Sequence, residues 1–144
     1  MPIIRPATPA DLPEILAMVQ ALAHHHGDTA TASPDTLSRD LFGPHPWATT
    51  LVAQETGPLI GYATLTRSVQ LQTGRRGMDL HHLFVVETAR NDGTGRALIA
   101  TAVALARSED VAQMTVSTAP DNPKAAALYP QAGFEPYTSQ AARF

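Results

Sequence analysis

Leu80-His81-His82-Leu83-Phe84-Val85-Val86, followed by Arg90-Asn91-Asp92-Gly93-Thr94-Gly95-Arg96, is the stretch on which the fold turns. The apolar run reads as the end of a strand, Met78 to Val86, and the glycine-bearing segment as a turn that opens a helix. Leu98, Ile99, Ala102, Val103, Leu105 and Ala106 cover much of that helix's circumference, as expected of one lying on a sheet, and it ends near Ser108. N–H groups in the first turn of a helix lack intrahelical partners and sit at the positive end of the macrodipole, which makes the turn a natural anion site. Gly93 and Gly95 leave room for a pyrophosphate, although simple helix capping also accounts for them. The third glycine of a GxGxxG fingerprint would fall at Leu98, and no Gly-Lys-Ser/Thr ending follows, so NAD and nucleoside triphosphates are disfavoured.

Upstream, Ile3 to Arg5 reads as a first strand, and Thr8-Pro9-Ala10-Asp11 supplies a capping hydroxyl, a proline at the first helical position and an acid. Leu12, Ile15, Leu16, Val19, Leu22 and Ala23 then repeat with the 3.6-residue period, and Gly27 closes this helix. A second helix follows Ser33-Pro34 and stops near Phe42, before Gly43-Pro44-His45-Pro46. Trp47 to Gln54 and Leu59 to Gln70 form a hairpin around Glu55-Thr56-Gly57-Pro58, and a loop from Thr73 to Gly77 leads to the strand at Met78. Downstream come a fifth strand at Val111 to Ser117, a fourth helix at Asn122 to Ala132, a sixth strand from Phe134 and a seventh at Ala141 to Phe144. A run of strands between helices favours an α+β fold in three layers, with a mixed, mostly antiparallel central sheet of six to seven strands flanked by about four helices.

The 144 residues fit one domain, 1–144, and a composition of 44% hydrophobic and 16% charged residues is globular. A net charge of −3 gives no broad cationic field, which argues against nucleic acid or an anionic membrane as partner. The absence of cysteine excludes a thiolate nucleophile, a disulfide framework and a Cys-ligated metal. Neither a signal sequence nor a membrane-length apolar run occurs, so a cytoplasmic location is expected.

Arg-x-x-Gly-x-Gly after an apolar strand resembles the pyrophosphate loop of the GNAT superfamily of N-acetyltransferases. Asn122-Pro123-Lys124-Ala125-Ala126-Ala127-Leu128-Tyr129 with Gly133-Phe134 resembles that family's second signature. Ile4-Arg5-Pro6-Ala7-Thr8, Phe42-Gly43-Pro44-His45-Pro46 and Leu51-Val52-Ala53 are similar to its diamine and polyamine branch, so the likeness spans about residues 3 to 134. It implies an acetyl-CoA-dependent transfer of an acetyl group to a primary amine (small amine, diamine or amino acid) by direct attack in a ternary complex. It also implies a homodimer. An acyl-CoA-binding module without turnover and a protein N-acetyltransferase are the competing readings.

The resemblance gives Arg90, Asn91, Gly93, Thr94, Gly95 and Arg96 to the pyrophosphate, and the backbone of Leu83, Phe84 and Val85 to the pantetheine arm. Asn122 binds the arm or caps its helix, and Tyr129 protonates the departing thiolate. His81 stands where the polyamine branch has a glutamate and is the expected base; His82 replaces the acid that follows. Strand alternation predicts that only one of the two faces the reacting centre. Losing both acids weakens the case for a polycationic acceptor. His24 and Trp47 are candidates for the acceptor groove, Trp47 also reading as hairpin core. Metal binding by His24-His25-His26 is disfavoured because consecutive helical residues diverge by about 100°. Pro130, directly after Tyr129, is expected to disturb the fourth helix.

Overall fold

The first two helix starts read from the sequence are present in the computed structural model of the protein, which describes residues 2–90, 92–116 and 123–135. Strand β1, Ile3–Pro6, leads through a 3-10 turn at Pro9–Asp11 into helix α1, Leu12–His25. The Asp11 carboxylate accepts from the Thr8 backbone N–H at 2.8 Å and from the two arms of the Arg5 guanidinium at 2.8 and 2.9 Å. The capping acid thus ties the start of α1 back to β1 by a bidentate ion pair. At the other end Gly27 adopts φ 71°, and the Gly27 and Asp28 N–H groups bond to the carbonyls of His24 and Ala23. Helix α2, Pro34–Phe42, opens on a reciprocal cap: Ser33 Oγ accepts from Thr36 N–H at 3.1 Å, and Thr36 Oγ1 accepts from Ser33 N–H at 3.0 Å.

The remaining elements are β2 (Ala48–Gln54), β3 (Leu59–Gln70), β4 (Arg75–Val85), α3 (Thr94–Ser108), β5 (Gln113–Val116) and α4 (Pro123–Gln131). The strands lie in the order β1-β2-β3-β4-β5, antiparallel except for the parallel pair β4–β5 across which α3 crosses. Leu51, Ala63, Leu65, Met78 and Leu80 face α3, where they bury Leu98, Ile99, Ala102 and Ala106. Val52, Leu59, Tyr62 and Phe84 face the other way, onto Ile15, Met18 and Leu22 of α1 and the half-buried Leu37 and Leu41 of α2. Glu14 of α1 accepts from the Leu59 N–H at 2.7 Å and so fixes the helix along β3. The mixed sheet between helical layers is the α+β architecture expected.

Several boundaries differ from the sequence reading. Strand β4 begins at Arg75 rather than Met78, because the Gln70–Arg75 pair continues the ladder to a four-residue turn, 71–74. Helix α3 begins at Thr94; Arg90 lies outside it, after a short 3-10 turn at Glu87–Ala89. Five strands, not six or seven, occur among the described residues. Phe134 and Glu135 are not in a strand, and the other positions expected to form the sixth and seventh, 136–144, lie outside the described residues. No helix among the described residues is long and apolar enough to cross a membrane.

The Arg5 pair holds the Asp11 carboxyl at about 2, with the Thr8 N–H adding to the effect against the opposing cost of burial. An acid whose folded value lies below its unfolded one stabilises the fold fully above the unfolded value and loses that contribution as the pH falls toward 2. Asp11→Ala is expected to cost about 1–3 kcal/mol at neutral pH in urea unfolding, and to flatten the acid limb of the stability profile below pH about 4.

Candidate active site

The apolar positions of β4 change parity partway along the strand. Met78 and Leu80 face α3, and so do Leu83 and Val85, leaving two residues rather than one between Leu80 and Leu83. The register records the same event: Leu65 pairs with Leu80 and Thr64 with His82, so His81 is the extra residue of a β-bulge. The bulge overturns the expectation that alternation would send the two histidines to opposite faces. Their rings stack at 4.5 Å between centroids and 10° between planes, on the α1–α2 side of the sheet.

His82 is the better anchored of the two. Its Nδ1 lies 3.0 Å from the hydroxyl of Tyr62, reached diagonally across the β3–β4 ladder, and its ring also meets the Tyr62 ring edge-on at 6.0 Å. Burial, then the neighbouring charges of His81 and His26, push the His82 imidazole down to about 4, so it is neutral at physiological pH. Burial pushes the Tyr62 phenol up. His81 is exposed at the mouth of this arrangement. Among the described residues β5 ends at the Leu80–Val116 pair, one residue before the bulge, whereas β4 runs on to Val85.

From Val85 the chain turns into α3. Arg90 folds back, its Nε donating to the Val85 carbonyl at 2.9 Å and its guanidinium carbon 5.8 Å from the centre of the Phe84 ring. Gly93 adopts φ 91°, a left-handed conformation that disfavours any side chain, and a Cβ there would meet open space. Gly95 is glycine for a different reason: a Cβ there would sit 3.0 Å from Cδ1 of Leu128, so its bare surface faces α4. Thr94 is buried, and Asp92 Oδ1 accepts from both its N–H at 3.0 Å and its hydroxyl at 2.6 Å. The Ala97 N–H is taken by the Gly93 carbonyl. The N–H groups of Gly95 and Arg96 are left without a partner among the described residues. Thr94, expected to bind phosphate, is thus committed to Asp92, while Arg96 reaches across to Gln131 of α4.

Tyr129 lies on the other side of the sheet from the histidines. It is buried among Leu98, Ile99 and Ala102, with Phe134 edge-on at 6.2 Å, and burial pushes its phenol up. Pro130 falls in the last turn of α4 rather than at its centre. The helix closes at once, Gly133 taking φ 96° and the Phe134 N–H bonding to the Tyr129 carbonyl at 3.0 Å.

Of the other candidates, Asn91 and Asn122 lie outside the described residues. Trp47 is 81% exposed and is not hairpin core, because the β2–β3 ladder starts one residue later, at Ala48–Thr66. His24 is exposed, and the histidine of the 24–26 run whose charge reaches His82 is His26, one residue past the end of α1. Two residues of the site escaped the sequence reading. Asp92 carries a signal, an acid two residues before a helical threonine. Tyr62 becomes visible only once the hairpin register places it diagonal to His82.

The family described as "Acetyltransferase (GNAT) family" matches residues 16–134. "Uncharacterized N-acetyltransferase YhfO" of Bacillus subtilis (strain 168) is 35% identical over 85 residues, which cover 59% of this chain and 57% of that protein. The match therefore spans little more than half of that relative. A crystal structure of a ribosomal-protein-alanine N-acetyltransferase from Brucella melitensis biovar Abortus 2308 superposes with a TM-score of 0.81 at 20% identity, covering 100% of both chains. That of a transcriptional regulator from Bacillus halodurans C-125 does so at 0.84 and 19% identity, again over 100% of both. At such identities the two structures speak for the fold alone. With strand, bulge, turn and helix in place and the family match running from α1 to the end of α4, the chain belongs to the acetyltransferase (GNAT) family.

Proposed function

We propose that the protein transfers an acetyl group from acetyl-CoA to a primary amine by direct attack in a ternary complex. The observation that carries this reading is the turn at residues 90–96. Left-handed Gly93, the N–H groups of Gly95 and Arg96, which have no partner among the described residues, and the guanidinium groups of Arg90 and Arg96 together suit a pyrophosphate at a helix N-terminus. The backbone of Leu83 to Val85, where β4 outruns β5 among the described residues, suits the pantetheine arm.

In the proposed reaction the amine nitrogen forms a bond to the thioester carbonyl carbon, and His81 takes the proton that the nitrogen loses. The tetrahedral intermediate collapses with cleavage of the C–S bond, and Tyr129 donates its proton to the departing thiolate. Burial keeps the Tyr129 phenol protonated, so it meets the developing thiolate first as a hydrogen-bond donor. The acids that would hold a chain of ammonium groups are replaced by His81 and His82. Asp79, a remaining carboxylate on β4, accepts from the Thr115 hydroxyl at 2.6 Å. This composition favours an acceptor with one reacting amine over a polyamine.

Calorimetric titration with CoA tests the donor half. Wild type is expected to bind, Gly93→Val to lose at least about ten-fold in affinity through backbone strain, and Arg96→Ala to lose several-fold. No wild-type binding at millimolar CoA overturns the reading. Asp92 is expected to oppose the pyrophosphate: Asp92→Asn keeps an oxygen to cap Thr94 while removing the charge. It is expected to tighten CoA about three- to ten-fold, more at low salt than at high. Tyr129→Phe is expected to lower kcat about 100-fold in a CoA-release assay with little change in KM for acetyl-CoA.

A further inference from the structure

Tyr62 is 0% exposed, and the only hydrogen-bond partner of its hydroxyl among the described residues is Nδ1 of His82. A phenol proton in such a place requires an acceptor, because an unmet buried donor costs about 1–3 kcal/mol. Were Nδ1 itself protonated and donating to the Tyr62 oxygen, the phenol proton would have nowhere to go. The pair is satisfied in one arrangement: Tyr62 donates, Nδ1 accepts, and the single proton of the neutral imidazole sits on Nε2. The opposite edge of the ring therefore presents an N–H, and Nε2 has no partner among the described residues.

Resting on the acetyl-transfer reading, we propose that Tyr62 is a positioning residue that locks His82 as the Nε2–H tautomer. His82 thereby donates a hydrogen bond to an oxygen of the acceptor substrate and leaves His81 alone to take the amine's proton. The bulge makes this division of labour possible, since it places both rings on one face. Stacking at 4.5 Å enforces it, because two imidazolium rings that close repel each other, whereas one charged ring over a neutral one does not. The groups bearing on the pair agree: His26, just past the end of α1, adds like charge, Tyr62 of β3 requires an acceptor, and burial disfavours the charged form of His82. An ammonium cannot accept a hydrogen bond. The substrate class that fits is a primary amine carrying a carbonyl, carboxylate or hydroxyl oxygen near the reacting nitrogen, rather than a bare alkylamine or polyamine.

The tautomer is read directly by long-range proton–nitrogen NMR on protein labelled with 15N-histidine, with His82 assigned through His82→Gln. The expected result is a neutral, Nε2-protonated His82 from pH 8 down to about 5, and mixed tautomers with an upward-shifted titration in Tyr62→Phe. A wild-type His82 protonated on Nδ1, or charged at pH 6, overturns the proposal. The donor role is read from kcat/KM for glycinamide against n-propylamine, the basicity of each amine cancelling when variants are compared with wild type. His82→Ala is expected to lose about ten-fold on glycinamide and little on propylamine. His82→Gln, which retains an N–H near the same place, is expected to restore most of the loss, and Tyr62→Phe to raise KM for glycinamide more than it lowers kcat. Equal losses on both amines, or turnover confined to propylamine and diamines, sink the donor role. Absence of CoA binding sinks instead the reading beneath it, and the NMR result stands apart from both.

Discussion

A single inserted residue in β4 governs how the two faces of this sheet are used. With His81 bulged out, Leu83 and Val85 return to the α3 side that Met78 and Leu80 already occupy, and Phe84 joins Tyr62 on the α1 side. Were the strand to alternate regularly through His81 instead, every side chain from His82 onward would change face: His82 would enter the aliphatic layer under α3, and Leu83 would be turned out of it. The hydrophobic requirement of two separate cores therefore holds the bulge in place. The polar arrangement is a by-product of that packing. Core and site are one constraint viewed from opposite sides.

The electrostatics are correspondingly divided along the strand. At the bulge the His82 imidazole is held neutral by burial and backed by a buried phenol that resists ionisation. At its far end two arginines flank the start of α3, and Asp92 stands against them with its carboxyl held low by Thr94. The bulge in β4 and the turn into α3 thus carry different chemistries. Asp92 also offers the helix start a partner of its own, so the turn is capped whether or not an external anion is present.

Much of this was legible in the chain itself because it is decided locally. Ser33-Pro34 and Thr8-Pro9 fix helix starts through their own hydrogen bonds, and Gly27 and Gly133 end helices through a backbone conformation that glycine tolerates. The glycines of the anion turn were equally plain, though Gly95 serves packing against Leu128. What remained hidden depends on register. The parity switch from Met78 and Leu80 to Leu83 and Val85 was present in the sequence, but two adjacent histidines looked like ordinary alternation until Thr64 was seen opposite His82. Tyr62 and His82 are twenty residues apart, and no local pattern joins them. Trp47 shows the converse error: hydrophobicity suggested core, yet a ladder that begins one residue later leaves it in solvent.

The contact between Gly95 and Leu128 also has a mechanical side. Helix α4 is pressed against the first turn of α3 at that point and clasped to it by the Arg96–Gln131 hydrogen bond, with Tyr129 between the two attachments. The turn proposed to receive the pyrophosphate and the tyrosine proposed to meet the sulfur are therefore joined by direct contacts. A larger side chain at position 95 would meet Cδ1 of Leu128 and press on α4 beside Tyr129.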